Sequence, residues 1–213
     1  MSTIAVIDYG MGNLHSIAKA LTLVAPEQQI WVTHDAEKIR RADRLVLPGV
    51  GAIRDCMQEI KRYEIDELCR EQVQQKPLLG VCVGLQALLN WSEENDGTHC
   101  IGLIPGEVKR FVEGAGKQKL KIPHMGWNQV AQSNPNHPMW ANIKNCSRFY
   151  FVHSYYAVPD DASVIAGTTE FGIEFVSALH HDNIFATQFH PEKSQKDGLQ
   201  LLQNFVRWNG QCN

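Results

Sequence analysis

An α/β fold is what this sequence predicts: an open, mostly parallel sheet flanked by helices on both faces, with a small antiparallel sheet added to it. Three observations carry that reading. From Ile4 to Trp91, short apolar runs alternate with segments of helical periodicity across brief connections, an order that implies right-handed crossovers between parallel strands. Glycine-containing turns, such as Gly10-Met11-Gly12 and Gly49-Val50-Gly51, punctuate the ends of those runs. After Trp91 the helical period gives way to short alternating segments interrupted by Pro and Gly, the pattern of antiparallel strands.

In chain order, Ile4–Asp8 is β-branched and apolar and reads as a buried strand. Tyr9 to Asn13 forms a glycine-rich turn, and Leu14, Ile17, Ala18, Leu21 and Leu23 then recur near helical spacing. A dinucleotide fingerprint would need a third glycine where His15 stands, so that function is rejected. Gln29–Thr33 is a second strand, Asp35–Arg41 a brief polar helix, and Arg44–Leu47 a third strand running into Pro48-Gly49-Val50-Gly51-Ala52. Helices are expected over Arg54–Arg62 and Ile65–Gln74, a buried strand over Pro77–Val81, and a helix over Leu85–Trp91. Ser92–Gly97 reads as a polar loop, Ile104–Val130 as short antiparallel strands, and Gln132–Pro138 as a loop. Ser147–Ala157 reads as one long aromatic strand, and Phe175–Leu179 with Ile184–Gln188 as a hairpin around His180-His181-Asp182-Asn183. Leu199–Trp208 closes the chain as an amphipathic helix.

Residues 1–213 read as a single domain, with 44% hydrophobic and 20% charged residues, enough to fill a core. The net charge of −3 supplies no basic field for nucleic acid or an anionic membrane. No apolar run approaches the roughly 20 residues of a membrane span. The N-terminus lacks a positively charged region and runs straight into a strand, so no signal peptide is expected. The 6 cysteines form no C-x-x-C pair and are scattered in spacing, which fits a reduced, cytoplasmic setting better than a disulfide framework. The adjacent pairs His99-Cys100 and His180-His181 read as exposed loop residues, and no metal or cofactor is expected.

The chemistry centres on Gly80-Val81-Cys82-Val83-Gly84, a strand–turn–helix layout that can act as a nucleophile elbow. Glycine flanks the turn because a Cβ would clash, and the following helix start favours thiolate. Taken alone, the stretch reads equally well as a buried structural cysteine. His190-Pro191-Glu192 supplies a base and its orienting acid: proline pushes His190 to an extended conformation, in which residues two apart point the same way. Taken alone, that motif is a solvated surface turn. Together the two make a thiol-nucleophile triad of Cys82, His190 and Glu192. The backbone N–H of Val83, and a second from Val50 in the glycine-rich turn, are the expected oxyanion donors. Gln86 lies one helical turn beyond Cys82, and its amide can donate and accept toward a polar amide substrate.

These segments, Gly80 to Gln86, Pro48-Gly49-Val50-Gly51 and His190-Pro191-Glu192, together resemble the class I (triad) glutamine amidotransferases over nearly the whole chain. Three further segments, Asp8 to Asn13, Pro123-His124-Met125-Gly126-Trp127-Asn128 and Phe149 to Tyr155, resemble more narrowly the glutaminase subunits of imidazole glycerol phosphate synthases. The wider family carries Leu after the cysteine where this chain has Val83, of little consequence for a backbone donor. The resemblance implies a flavodoxin-like fold and hydrolysis of glutamine to glutamate and ammonia through a thioester on Cys82. It implies that Gly51, Gln86 and the backbone near His153, Ser154 and Tyr155 hold the glutamine. It further implies a heterodimer with a separate (β/α)8 cyclase subunit that takes the ammonia through a tunnel to make imidazole glycerol phosphate and aminoimidazole carboxamide ribotide, in histidine biosynthesis. Asn13, Met125, Trp127 and Tyr150 would sit at that interface; their alternative is core or edge packing. A paralogous glutaminase feeding a sugar amidotransferase of surface polysaccharide synthesis shares the same chemistry.

Overall fold

A computed structural model describes residues 2–112 and 121–211. The part of the Ile104–Val130 expectation that falls on 113–120, and Cys212, lie outside the described residues. The elements run β1 (Thr3–Ile7), α1 (Leu14–Val24), β2 (Gln29–Thr33), α2 (Ala36–Arg41), β3 (Arg44–Gly49), α3 (Ile53–Arg62), α4 (Ile65–Gln72), β4 (Leu78–Cys82) and α5 (Val83–Ala87). There follow β5 (Trp91–Ser92), β6 (Thr98–His99), β7 (Gly106–Arg110), β8 (His124–Gln132), β9 (Ser147–His153), β10 (Tyr155–Pro159), β11 (Ile165–Phe171), β12 (Ile173–His181), β13 (Ile184–Thr187) and α6 (Gln195–Arg207).

The strands join in the order β2-β1-β3-β4-β13-β12-β10-β7-β5-β6, with β11, β8 and β9 branching from β12. β2, β1, β3, β4 and β13 are mutually parallel. Every residue of β1 and β4 is buried, as a strand covered on both faces requires. Helix α1 packs on α6, while α2, α3, α4 and α5 contact one another, so the helices form two separate layers. The antiparallel strands are not a detached sheet. They continue the parallel one through the β12–β13 pairing and turn away from it at β11 and β8.

Local chemistry explains most boundaries. Asp35 caps α2, its carboxylate accepting from the backbone N–H of Glu37 and Lys38. A Cβ at Gly84 would collide with the Leu47 carbonyl oxygen, and one at Gly80 would lie 2.9 Å from Leu88 Cδ1. Both glycines therefore let α5 press onto β3 and β4. Four expectations are corrected. The helix expected over Leu85–Trp91 is Val83–Ala87, because the chain beyond it turns to hydrogen-bond to Gly102, Leu103 and Ile104 and then forms β5. The polar loop Ser92–Gly97 holds a 3-10 turn, Glu94–Asp96. The long strand Ser147–Ala157 breaks at Ser154, because β9 pairs with β8 while β10 leaves to pair with β7 and β12. His180 and His181 end strand β12, and the hairpin turn is only Asp182-Asn183, with Asp182 at φ 47°.

Candidate active site

Parallel register brings three strand ends together. Gly49 of β3 lies beside Cys82 of β4, and Thr187 of β13 beside Val81. Each strand then releases a loop at its carboxyl end, where open α/β sheets place their sites. Cys82 sits at the tip of the central one with φ 56° and ψ −110°, a conformation an L-residue adopts only under strain. The turn that carries it starts α5, so the N–H of Val83 is a first-turn donor without an intrahelical partner.

The turn Pro48 to Gly51 is held from beneath. Tyr9 Oη donates to the Pro48 carbonyl at 2.6 Å, and Cys56 Sγ donates to the Val50 carbonyl at 3.4 Å. Burial pushes the Cys56 thiol up to about 11, so it remains a neutral S–H donor.

The base arrives from β13. His190 Nδ1 and Glu192 Oε1 are 2.9 Å apart, both side chains almost fully buried. The reading of this motif as a solvated turn is thereby excluded, and so is the extended conformation assumed for it. Pro191–Lys193 is a 3-10 turn, and it is this curl that folds Glu192 back onto the imidazole. Ser194 locks the curl: its Oγ donates to the His190 carbonyl at 2.6 Å and accepts from the Tyr150 N–H at 2.9 Å. Burial is the largest influence on the imidazole and lowers its pKa, but Cys82 and then Glu192 outweigh it, and the net is a rise to about 10. The outer ring atom Nε2 is buried without a hydrogen-bond partner, the one edge left for the thiol and a reacting group.

A cavity of ≈ 450 Å³ opens over Cys82, lined by Val50, Gly51, Val83, Gln86, His153, Ser154, Tyr155 and His190 together with Glu94, Pro123, Val152 and Lys193. That volume suits a small metabolite. The expected nucleophile, base, oxyanion donors and substrate residues thus line one space, with Glu192 behind His190. Two expectations change in detail. Gln86 Nε2 is already engaged, donating to the Tyr155 carbonyl and to Gln188 Oε1, both at 3.1 Å, which leaves Oε1 as its group for a ligand. The His153 ring faces away into a buried pair, 2.8 Å from His124 Nδ1 and 2.8 Å from the Tyr155 carbonyl.

The four residues expected at an interface separate. Met125 and Trp127 are exposed on one face of β8, 63% and 37% respectively, so they are not core. Tyr150 is half-buried opposite Trp127, their ring centroids 6.2 Å apart. Asn13 Nδ2 lies 3.4 Å from Glu192 Oε1, against the triad carboxylate. Residues missed from sequence are Tyr9, Cys56, Glu94, Ser194 and Gln188. Gln188 alone had a readable signal: it stands two residues before His190. Among the described residues no cluster of ligating side chains could hold a metal.

The family model described as glutamine amidotransferase class-I matches residues 5–208. A protein of Nitrosococcus oceani named imidazole glycerol phosphate synthase subunit HisH is 57% identical over 210 residues, 99% of each chain. One of the same name from Acinetobacter baylyi is 56% identical, covering 98% of this chain and 100% of its own. Among solved structures, a GMP synthase protein of Thermoplasma acidophilum superposes with a TM-score of 0.70 at 21% identity, covering 97% of this chain and 93% of that one. PurLQS of Thermotoga maritima superposes with a TM-score of 0.70 at 18% identity, over 97% and 98%. At such identities these structures speak for the fold alone.

Proposed function

The chain belongs to the class-I glutamine amidotransferases, and on that footing we propose that its cavity hydrolyses glutamine through a thioester on Cys82. The protein is a glutaminase, the glutamine-hydrolysing subunit of imidazole glycerol phosphate synthase, and the surface-polysaccharide alternative is not favoured. It therefore works with a partner subunit. The observation that carries the chemistry is the convergence of Cys82, His190 and Glu192 at the carboxyl ends of adjacent parallel strands.

In this reading the Cys82 thiolate attacks the carboxamide carbon of glutamine. The oxyanion that forms is met by the N–H groups of Val83 and Val50, each worth ~3 kcal/mol of transition-state stabilisation. The imidazolium of His190 gives its Nε2 proton to the departing nitrogen, ammonia leaves, and the glutamyl thioester remains. A water molecule then attacks it as His190 Nε2 takes the proton, and collapse releases glutamate and regenerates the thiolate. Glu192 holds Nδ1 throughout. Gly51, Gln86 Oε1 and the backbone of His153, Ser154 and Tyr155 hold the substrate. Glu94, the one carboxylate among the described lining residues, faces the α-ammonium.

The partner is a (β/α)8 cyclase subunit that docks over Met125, Trp127 and Tyr150, beside the cavity mouth. Exposed Met and Trp on one strand face are what an interface core favours. Replacing Cys82→Ala tests the chemistry: glutamine-dependent activity of the complex is lost while activity with added ammonia persists. Glutamate release that survives the substitution excludes Cys82 as nucleophile.

A further inference from the structure

Gln188 is completely buried, ends the strand that delivers the base, and has no part in the mechanism above. Its Nε2 lies 3.8 Å from the Cys82 sulfur. The orientation of its amide follows from the network and not from a choice between nearly identical O and N atoms. The Tyr155 carbonyl can only accept, so the Gln86 atom 3.1 Å away must be its NH2 group. The same NH2 group lies 3.1 Å from the Gln188 amide and must find an oxygen there. Gln188 therefore turns Oε1 toward Gln86 and its own NH2 toward the sulfur.

The Tyr155 carbonyl is held from its other side. His153 Nδ1 lies 2.8 Å from it and must be protonated, so His153 Nε2 accepts from His124 Nδ1 at 2.8 Å. His124 Nε2 then accepts from Asn128 Nδ2 at 3.2 Å, whose second hydrogen goes to the Glu170 carbonyl. Donor follows acceptor without a break from Asn128 on β8 to the sulfur, and one carbonyl sets the sense of both arms.

We propose that Gln188 is a further catalytic residue, whose Nε2–H donates to the Cys82 sulfur and favours its thiolate form, locked in that orientation by Gln86 and the Tyr155 carbonyl. A donor aimed at the charged form of an acid stabilises that form. This assignment rests on the reading of Cys82 as the nucleophile. Substitution at Gln188 leaves in place the other titratable groups around the sulfur: His190 on the 3-10 turn, Tyr9 after β1, Cys56 on α3, His153 on β9, and Glu94 and Lys193 at the cavity wall.

The test is the pH profile of Cys82 carbamidomethylation by iodoacetamide on the full chain, followed on the Cys82 peptide by mass spectrometry. Gln188→Met keeps the shape and removes the donor, and moves the midpoint upward by about one pH unit. Gln188→Glu places a carboxylate beside the sulfur and moves it further up. A folded Gln188→Met protein with the wild-type midpoint overturns the proposal. Should neither variant fold, the wild-type chain decides: the Gln188 side-chain amide resonances titrate with Cys82 and shift when Cys82 is carbamidomethylated, and resonances that do neither overturn it. Alkylation reads the thiolate without turnover. Failure here therefore leaves the Cys82→Ala result standing, and glutaminase activity in Cys82→Ala leaves the alkylation profile unexplained by catalysis.

Discussion

Glu192 shows how a single side chain can control chemistry it does not touch. Its Oε1 faces His190 Nδ1 at 2.9 Å and Asn13 Nδ2 at 3.4 Å, in a setting closed to water. It selects the tautomer that leaves His190 Nε2 facing the thiol. Glu192→Gln keeps the size and removes the charge, and is expected to lower kcat on the order of 10²- to 10⁴-fold with KM nearly unchanged, measured by glutamate release. A fall in kcat/KM carried mainly by KM would reassign Glu192 to substrate binding. The pairing of residues two apart is the right rule for a different pair. His190 and Glu192 meet through a 3-10 curl, whereas Gln188 and His190, also two apart, are the ones that converge on Cys82 along the strand end.

At the scale of elements, the elbow works because α5 lies directly on β3. Gly84 has no side chain because the Leu47 carbonyl oxygen occupies the place of its Cβ. Gly84→Ala must move either the helix or the strand, and either movement displaces Cys82 from His190. The expected cost is about 3 kcal/mol or more of folding stability, read from denaturant midpoints, with loss of glutaminase activity in whatever fraction folds. Wild-type stability in that variant would mean that the helix can shift off the strand at little cost. These contacts were legible in advance, since a glycine two residues to either side of a cysteine at a strand–helix junction has a steric reason. The split between β9 and β10 was not. An unbroken aromatic run carries no local mark at Ser154, and the break comes from competition between β8 and β7 for strand partners.

Across the whole molecule, buried histidines set the response to acid. Burial lowers His124 and His137 to about 4 and His153 to about 3, from an ordinary 6.5. Between those values and 6.5 the unfolded chain binds protons that the folded chain refuses, so stability falls as pH drops through that window. His190 works in the opposite sense: its contribution is complete below 6.5 and is lost as pH rises toward about 10. Urea midpoints should therefore decline from about pH 6.5 to about 4. His137→Asn, which keeps an acceptor for the Met139 N–H and cannot titrate, should flatten the decline. An unchanged slope would show that His137 protonates in the folded state. The outer face of β8 makes a separate prediction. Trp127→Glu, on an exposed side chain, should leave stability within about 0.5 kcal/mol and weaken association with the cyclase by at least tenfold in titration calorimetry. Unaltered affinity would move the interface elsewhere.

The order of strands and helices, the glycines of the elbow and the residue types of nucleophile, base, acid and substrate amide were all determined by the sequence itself, because periodicity, steric need and chemical type are local properties. Tertiary structure alone decided which atoms face one another. Parallel register aligned Gly49 with Cys82, a 3-10 turn folded Glu192 onto His190, and the one carbonyl of Tyr155 oriented Gln86 and His153. Each of these depends on groups far apart in the chain. Hydrogen-bond direction in a buried network is a property of the whole network and cannot be read from any one of its residues.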